Sequence, residues 1–190
     1  ALGSKCGWRE ASGFAADVNL PAPFATPSAR NPSKVVAAPS GAQLKVPPGF
    51  KVEEYMSGFQ QPRFLTLGPS KELIIADTAA GIVYTARGKD KKELIKGLTR
   101  PYGVAFWKDY IYVGEPTSIK RYKYDAKGLT AGAGEEVVNL KDATGGHSTR
   151  NIVFDRKGEK MYVAVGSGSN VNAGEPAIRA AVNRYNPDGS

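Results

Sequence analysis

The strongest constraint on this chain is one pattern that occurs three times. PRFLTLGPSKELIIADTAAGIVYTA starts at Pro62 and PYGVAFWKDYIYVGEPTSIKRYKYDAKG at Pro101. TRNIVFDRKGEKMYVAVGSGSN starts at Thr149 and closes its unit with AVNRYNPDGS. Each unit reads as an apolar strand, a tight turn, a second apolar strand ending in small or polar residues, a loop and a third strand. Leu67, Phe106 and Phe154 hold the same place in the three units, a period of roughly forty to fifty residues, which is that of a four-stranded propeller blade. A single twisted sheet of this size cannot cover both of its faces, so it stacks on neighbours around an axis. The expectation is an all-β protein made of β-propeller blades: about three four-stranded blades of a six-bladed propeller.

The local signals agree. From Leu44 onward, short runs of β-branched and aromatic residues are bounded by turn residues. They predict strands at Lys51 to Tyr55, Arg63 to Leu67, Leu73 to Ala76, Ile82 to Ala86, Gly103 to Phe106 and Tyr110 to Val113. Further strands are predicted at Ile119 to Tyr124, Glu136 to Asn139, Ile152 to Phe154, Met161 to Val165 and Ala181 to Asn186. In Ile111-Tyr112-Val113 and in Met161 to Val165, successive side chains must point to opposite faces. Gly68-Pro69-Ser70-Lys71, Asp125-Ala126-Lys127-Gly128 and Asp155-Arg156-Lys157-Gly158 are turn compositions. The 22 Gly and 13 Pro of the chain suit short strands better than long helices.

Residues 1–43 have a different texture, rich in Ala, Ser and Pro and without sustained periodicity. An irregular, extended N-terminal segment is expected there, because proline fixes φ and removes a backbone donor. A short helix around Trp8 to Ala16 is weakly signalled. The domain division is therefore 1–43 as an irregular segment and 44–190 as a partial propeller.

Several functional classes are set aside. No run of eighteen apolar residues is present, which argues against a membrane-spanning helix. The net charge of +8 is scattered, apart from Lys89-Asp90-Lys91-Lys92, which is read as a solvated hairpin tip. No nucleic-acid-binding motif accompanies the charge. Cys6 is the only cysteine, which rules out an intrachain disulfide and a CxxCH haem attachment. No zinc-ligand spacing occurs. With one histidine and no GxSxG elbow, a serine hydrolase is disfavoured. The chain does not open with a basic segment followed by a hydrophobic stretch. That fits either a cytoplasmic protein or one whose signal peptide has been removed.

That one histidine, His147, lies in Thr144-Gly145-Gly146-His147-Ser148-Thr149-Arg150, just ahead of a predicted inner strand. The two glycines permit unusual backbone angles and close approach of a ligand. A histidine at a propeller mouth can act as a general base, since it titrates near neutral pH. An isolated loop histidine is also a common surface residue. Arg150 could meet an anionic cofactor or form a salt bridge at the blade surface. Asp77 and Glu115, each at the end of a second strand, are candidates for polar contacts or ion ligation.

The stretch Gly145 to Asn172, GGHSTRNIVFDRKGEKMYVAVGSGSNVN, resembles the part of soluble pyrroloquinoline quinone (PQQ)-dependent sugar dehydrogenases that carries their catalytic histidine. Pro47 to Val83 and Arg100 to Glu115 are similar to the first two blades of that family, in particular of its sorbosone-dehydrogenase-like branch. The resemblance runs from Leu44 to the end of the chain and corresponds to the N-terminal half of the family's propeller. It implies a quinoprotein dehydrogenase of sugars or related polyols and aldehydes, using PQQ and calcium and passing electrons to an external acceptor. His147 would take the substrate hydroxyl proton as hydride passes to the quinone, with calcium polarising the quinone carbonyl. Arg150 would face the cofactor, and Asn170 and Asn172 would line the substrate entrance; Asn in such a loop also serves turn geometry. A periplasmic or secreted location is implied too. The sequence departs from the glucose-oxidising members at Gly146, where they carry an acidic residue, and at Leu98-Thr99-Arg100, where they carry a glutamine. Alternative readings are a calcium-dependent lactonase-like propeller and a non-catalytic propeller that binds ligands or proteins.

Three blades account for about 150 residues, while propellers close with four to eight blades. A fragment, or a half completed by further sequence or another chain, is therefore expected. A monodisperse, monomeric 190-residue protein that unfolds cooperatively in denaturant would contradict this expectation.

Overall fold

A computed structural model describes residues 22, 32–170 and 174–190. The chain divides into two units, Ala1–Ala42 and Gln43–Ser190. In the first, residues 32–42 carry no helix or strand. The expected helix at Trp8 to Ala16 and Cys6 lie outside the described residues.

The second unit is all-β. Its strands are β1 (Pro62–Leu67), β2 (Leu73–Asp77), β3 (Ile82–Arg87), β4 (Asp90–Ile95), β5 (Val104–Trp107), β6 (Tyr110–Glu115), β7 (Ser118–Asp125) and β8 (Thr130–Asn139). After a single 3-10 turn at Lys141–Ala143 come β9 (Arg150–Phe154), β10 (Met161–Val165) and β11 (Ala181–Tyr185). They form three antiparallel meanders, β1-β2-β3-β4, β5-β6-β7-β8 and β9-β10-β11. These are three propeller blades, the third with three strands among the described residues. The anchors sit in matching register, Leu67 opposite Leu73, Phe106 opposite Ile111 and Phe154 opposite Met161.

Blade stacking follows from side-chain alternation in β6. Ile111 and Val113 enter a core with Ile74, Ala76, Val83, Val104, Tyr122 and Tyr124, between the first and second blades. Tyr112, which points the other way, joins Ile119, Val138, Ile152, Met161, Val163 and Val165, between the second and third. Burying both faces of one strand requires a neighbour on each side. Leu65 and Leu67 on the first blade, and Val153 and Val182 on the third, face outward and stay more than half exposed.

Two tyrosine hydroxyls make hydrogen bonds across the contacts between blades. The carboxylate of Glu72 accepts a hydrogen bond from the Tyr124 hydroxyl at 2.5 Å across the first contact. The Tyr112 hydroxyl donates to Pro187 O at 2.8 Å across the second. The second contact also depends on glycine. Gly103 N donates to Arg150 O at 3.0 Å, and a Cβ on Gly103 or Gly114 would lie 2.2 or 2.5 Å from that same oxygen. The first residue of β9 is thus seated in a notch that only two side-chain-free positions of the second blade leave open.

Two expectations need correction. Lys51 to Tyr55 is not a strand. Its Val and Tyr residues have the right composition, but the neighbouring segment meets side chains instead of a strand edge. Lys89 Nζ donates to Tyr55 O, and Lys91 Nζ donates to Ser57 O and Gly58 O at 3.0 and 2.9 Å. Those ammonium groups also lie over the rings of Tyr55 and Phe59 at 4.3 and 4.2 Å. Second, the run Lys89-Asp90-Lys91-Lys92 is more than a solvated tip. Gly88 and Lys89 make the turn, with Gly88 at φ 57°, and Asp90 already begins β4.

Two measurements test this packing. Burial, reinforced by the Glu115 charge, pushes the Tyr122 hydroxyl from 10.0 up to about 12; burial and the bond to Glu72 raise Tyr124 as well. Both groups stay protonated when folded and ionise sooner when unfolded. Their contribution is complete below pH 10 and declines above it as the unfolded chain loses protons. Urea midpoints should therefore fall between pH 10 and 12, and less steeply in Tyr122→Phe; equal slopes would contradict the buried-hydroxyl account. Gly114→Ala should cost about 1–3 kcal/mol in urea unfolding, as overpacking does, and a neutral result would mean the notch is wider than described.

Candidate active site

The loop from Ala143 to Thr149 leads into β9, the first strand of the third blade. First strands of adjacent blades approach each other, so each is the innermost strand of its blade. Corresponding loops precede β1 and β5, and all three are tied down by polar side chains. In the first blade, the fully buried Asp77 accepts from Gln60 N and Gln61 N, both at 2.7 Å, and from Ala80 N at 3.2 Å. In the second, Glu115 accepts from Thr99 N at 2.5 Å and pairs with Lys120 at 2.6 Å. Asp77 and Glu115 thus make polar contacts with backbone amides and, for Glu115, with lysine.

The third blade uses cations in place of carboxylates. Arg150 is completely buried. Its Nη1 donates to His147 O and Thr149 O, both at 2.9 Å, and its Nη2 to Ala143 O at 2.6 Å. Burial, and then the nearby Arg179 charge, lowers the Arg150 pKa from its ordinary value. Arg179, 5% exposed, donates to Thr144 O, Gly145 O and Ser167 O at 2.8, 2.9 and 2.8 Å. Its Nε lies 3.3 Å from Glu175, whose other oxygen accepts from Gly168 N at 2.7 Å. Gly145 and Gly146 have φ of 78° and 57°, and a Cβ on Gly146 would lie 2.2 Å from Gly168 O. The glycine pair is thus required by the turn itself.

His147 is exposed on this anchored loop. Its backbone N donates to Ser167 O at 3.1 Å. The ring Nδ1 lies 3.1 Å from Ser167 O and 2.9 Å from Ser167 Oγ. The Ser167 hydroxyl gives its own proton to Ser169 O at 2.6 Å, so both groups facing Nδ1 are acceptors. Nδ1 therefore carries the hydrogen of the neutral ring, and the lone pair sits on Nε2. Gly166 makes room for this arrangement, since a Cβ there would lie 2.6 Å from the His147 Cβ.

Arg100 adds a cation from the second blade. Its backbone is left-handed at φ 48°, and its Nη2 lies 3.3 Å from Ser148 Oγ, one residue from the histidine. Beside it is a polar pocket lined by Gln61, Thr78, Gly81, Thr99 and Arg100. Asn170 is exposed in the loop that follows β10; Asn172 lies outside the described residues. The structure thus joins His147 and Arg150 in one loop, with Arg150 turned to backbone carbonyls. Sequence reading missed Arg179 and Ser167. Arg179 had only its spacing from Glu175 to mark it, and Ser167 only its place after the second strand. Among the described residues, no group of three His, Cys, Asp or Glu side chains comes together to hold a metal ion.

Comparison with known proteins places the chain in a family. An uncharacterized protein of Borreliella burgdorferi is 26% identical over 143 residues, which is 67% of this chain and 37% of the relative. The holo PQQ domain of a pyranose dehydrogenase from Coprinopsis cinerea superposes with a TM-score of 0.64 at 20% identity, covering 70% of this chain and 35% of that one. The PQQ-bound aldose sugar dehydrogenase of Streptomyces coelicolor gives 0.55 at 20% identity, covering 73% and 48%. The chain therefore spans about a third to a half of the length of these relatives. Residues 44–186, three quarters of the chain, match the TrAA12-like family, and the chain belongs to that family of PQQ-dependent oxidoreductases.

Proposed function

We propose that this chain contributes the base-bearing part of a PQQ-dependent dehydrogenase that oxidises sugars or related polyols and aldehydes. The observation that carries this is the orientation of the ring: Nδ1 is held on two acceptors, and Nε2 is left as the proton-accepting atom of an exposed histidine. The family membership and the likeness to sugar dehydrogenases support the reading.

The residues present suit an anionic quinone. Arg100 offers a guanidinium beside the histidine loop, matched to a carboxylate, and the adjoining pocket carries amide and hydroxyl groups suited to polar ligands. PQQ, when bound, supplies the two-electron acceptor for hydride leaving the substrate carbon. His147 Nε2 takes the hydroxyl proton of the same substrate, and Ser167 holds the ring in the tautomer that can do so. Asn170 and Asn172 would meet the substrate at the entrance. Calcium, when bound, would polarise the quinone carbonyl; among the described residues no three His, Cys, Asp or Glu side chains come together to hold it. A periplasmic or secreted location belongs to the same reading.

The test is dye reduction with aldoses by the full-length protein reconstituted with PQQ and calcium. His147→Ala should lower kcat about 10²- to 10⁴-fold, the usual contribution of a positioned base. Retention of wild-type kcat would remove His147 from the chemistry. Ser167→Ala, which leaves the carbonyl acceptor in place, should cost roughly 2- to 10-fold, in line with one net hydrogen bond. Lactone hydrolysis without PQQ would instead favour a lactonase.

A further inference from the structure

Two guanidinium groups buried close together, with one carboxylate near them, are an unusual way to fix a loop. Desolvating a cation is costly unless its donors are met, and like charges add to that cost. The first two blades fix their corresponding loops more simply, with Asp77 and Glu115 accepting from backbone amides. In the third blade the acceptors of Arg150 and Arg179 are concentrated on Ala143, Thr144, Gly145, His147 and Thr149. The remaining carbonyl, Ser167 O, is the one that also receives His147 N and lies against Nδ1.

We propose that Arg150 and Arg179 are positioning residues for His147, clamping its loop through the carbonyls so that the ring keeps Nδ1 on Ser167 and turns Nε2 outward. This rests on the reading of His147 as the base. Arg150 holds the carbonyl of the histidine itself, and its own backbone is seated in the notch formed by Gly103 and Gly114. Arg179 holds the turn ahead of the histidine together with the acceptor that orients the ring. Both peptide connections to His147 and its ring contact are thereby referred to the rigid second and third blades. A base displaced by about 1 Å can lose 10²-fold in rate, so such a clamp acts on kcat.

The experiment uses Arg179→Met and Arg179→Lys. In the full-length protein, the ring ¹⁵N signals lost in His147→Ala identify this histidine and report its tautomer. Arg179→Met should shift those signals from a single Nδ1–H form toward a mixture. In the reconstituted full-length protein it should lower kcat about 10- to 100-fold with KM within about twofold. Arg179→Lys, which keeps one charge but not the planar fork, should fall between wild type and Met. A folded Arg179→Met with unchanged ring signals and unchanged kcat would overturn the proposal. Should the Met variant fail to fold, the Lys variant decides by the same two readouts. The failure of each reading is distinguishable: full activity in His147→Ala sinks the base, whereas an inactive His147→Ala with an indifferent Arg179→Met sinks the clamp alone.

Discussion

The approach of one backbone to another governs this molecule. Arg150 begins the innermost strand of the third blade, and its carbonyl lies where a methyl group on Gly103 or Gly114 would be. That contact sets the distance between the second and third blades. It also sets the starting point of β9, and with it the place of the histidine three residues earlier. The core around Tyr112, Ile152 and Met161 fills the space that the contact defines. Packing supplies the energy of this arrangement, and the two glycines supply its registration.

The three loops that enter the innermost strands show one problem solved in two polarities. A loop at the end of a sheet leaves backbone groups unpaired, and each must find a partner. Asp77 and Glu115 answer with acceptors for N–H groups. The third blade answers with donors for C=O groups, which requires the carbonyls to turn inward, as Gly145 and Gly146 allow with positive φ. The loop that differs in this way is the one that presents the imidazole. The polarity of its anchoring thus coincides with the place where chemistry is proposed.

The middle strands β2, β3 and β6 could be read from the sequence because both of their faces are buried and their residues are largely β-branched or aromatic. The outer strands were harder to read. β4 begins Asp90-Lys91-Lys92-Glu93, and β8 begins with Thr130, Ala131 and Gly132; as blade edges open to water they need no apolar pattern, and charge there is protective. Lys51 to Tyr55 erred in the other direction, since strand composition was present without a strand to pair with. His147 stood out because it is unique and follows two glycines. The clamp beneath it did not, because Arg179 acquires meaning only from carbonyls more than thirty residues away in the chain. The bonds of Arg150 to the carbonyls of Ala143, His147 and Thr149 were similarly hidden, because they depend on its burial.

The inward-facing carbonyls also bear on how the loop can move. Releasing any one of them exposes a guanidinium that is bonded to others, so partial opening leaves a buried cation short of partners. Opening should consequently be concerted, with the carbonyls of Ala143 to Thr149 leaving their guanidinium donors together. A loop of small, polar and glycine residues, mobile by composition, is thereby held as a single unit.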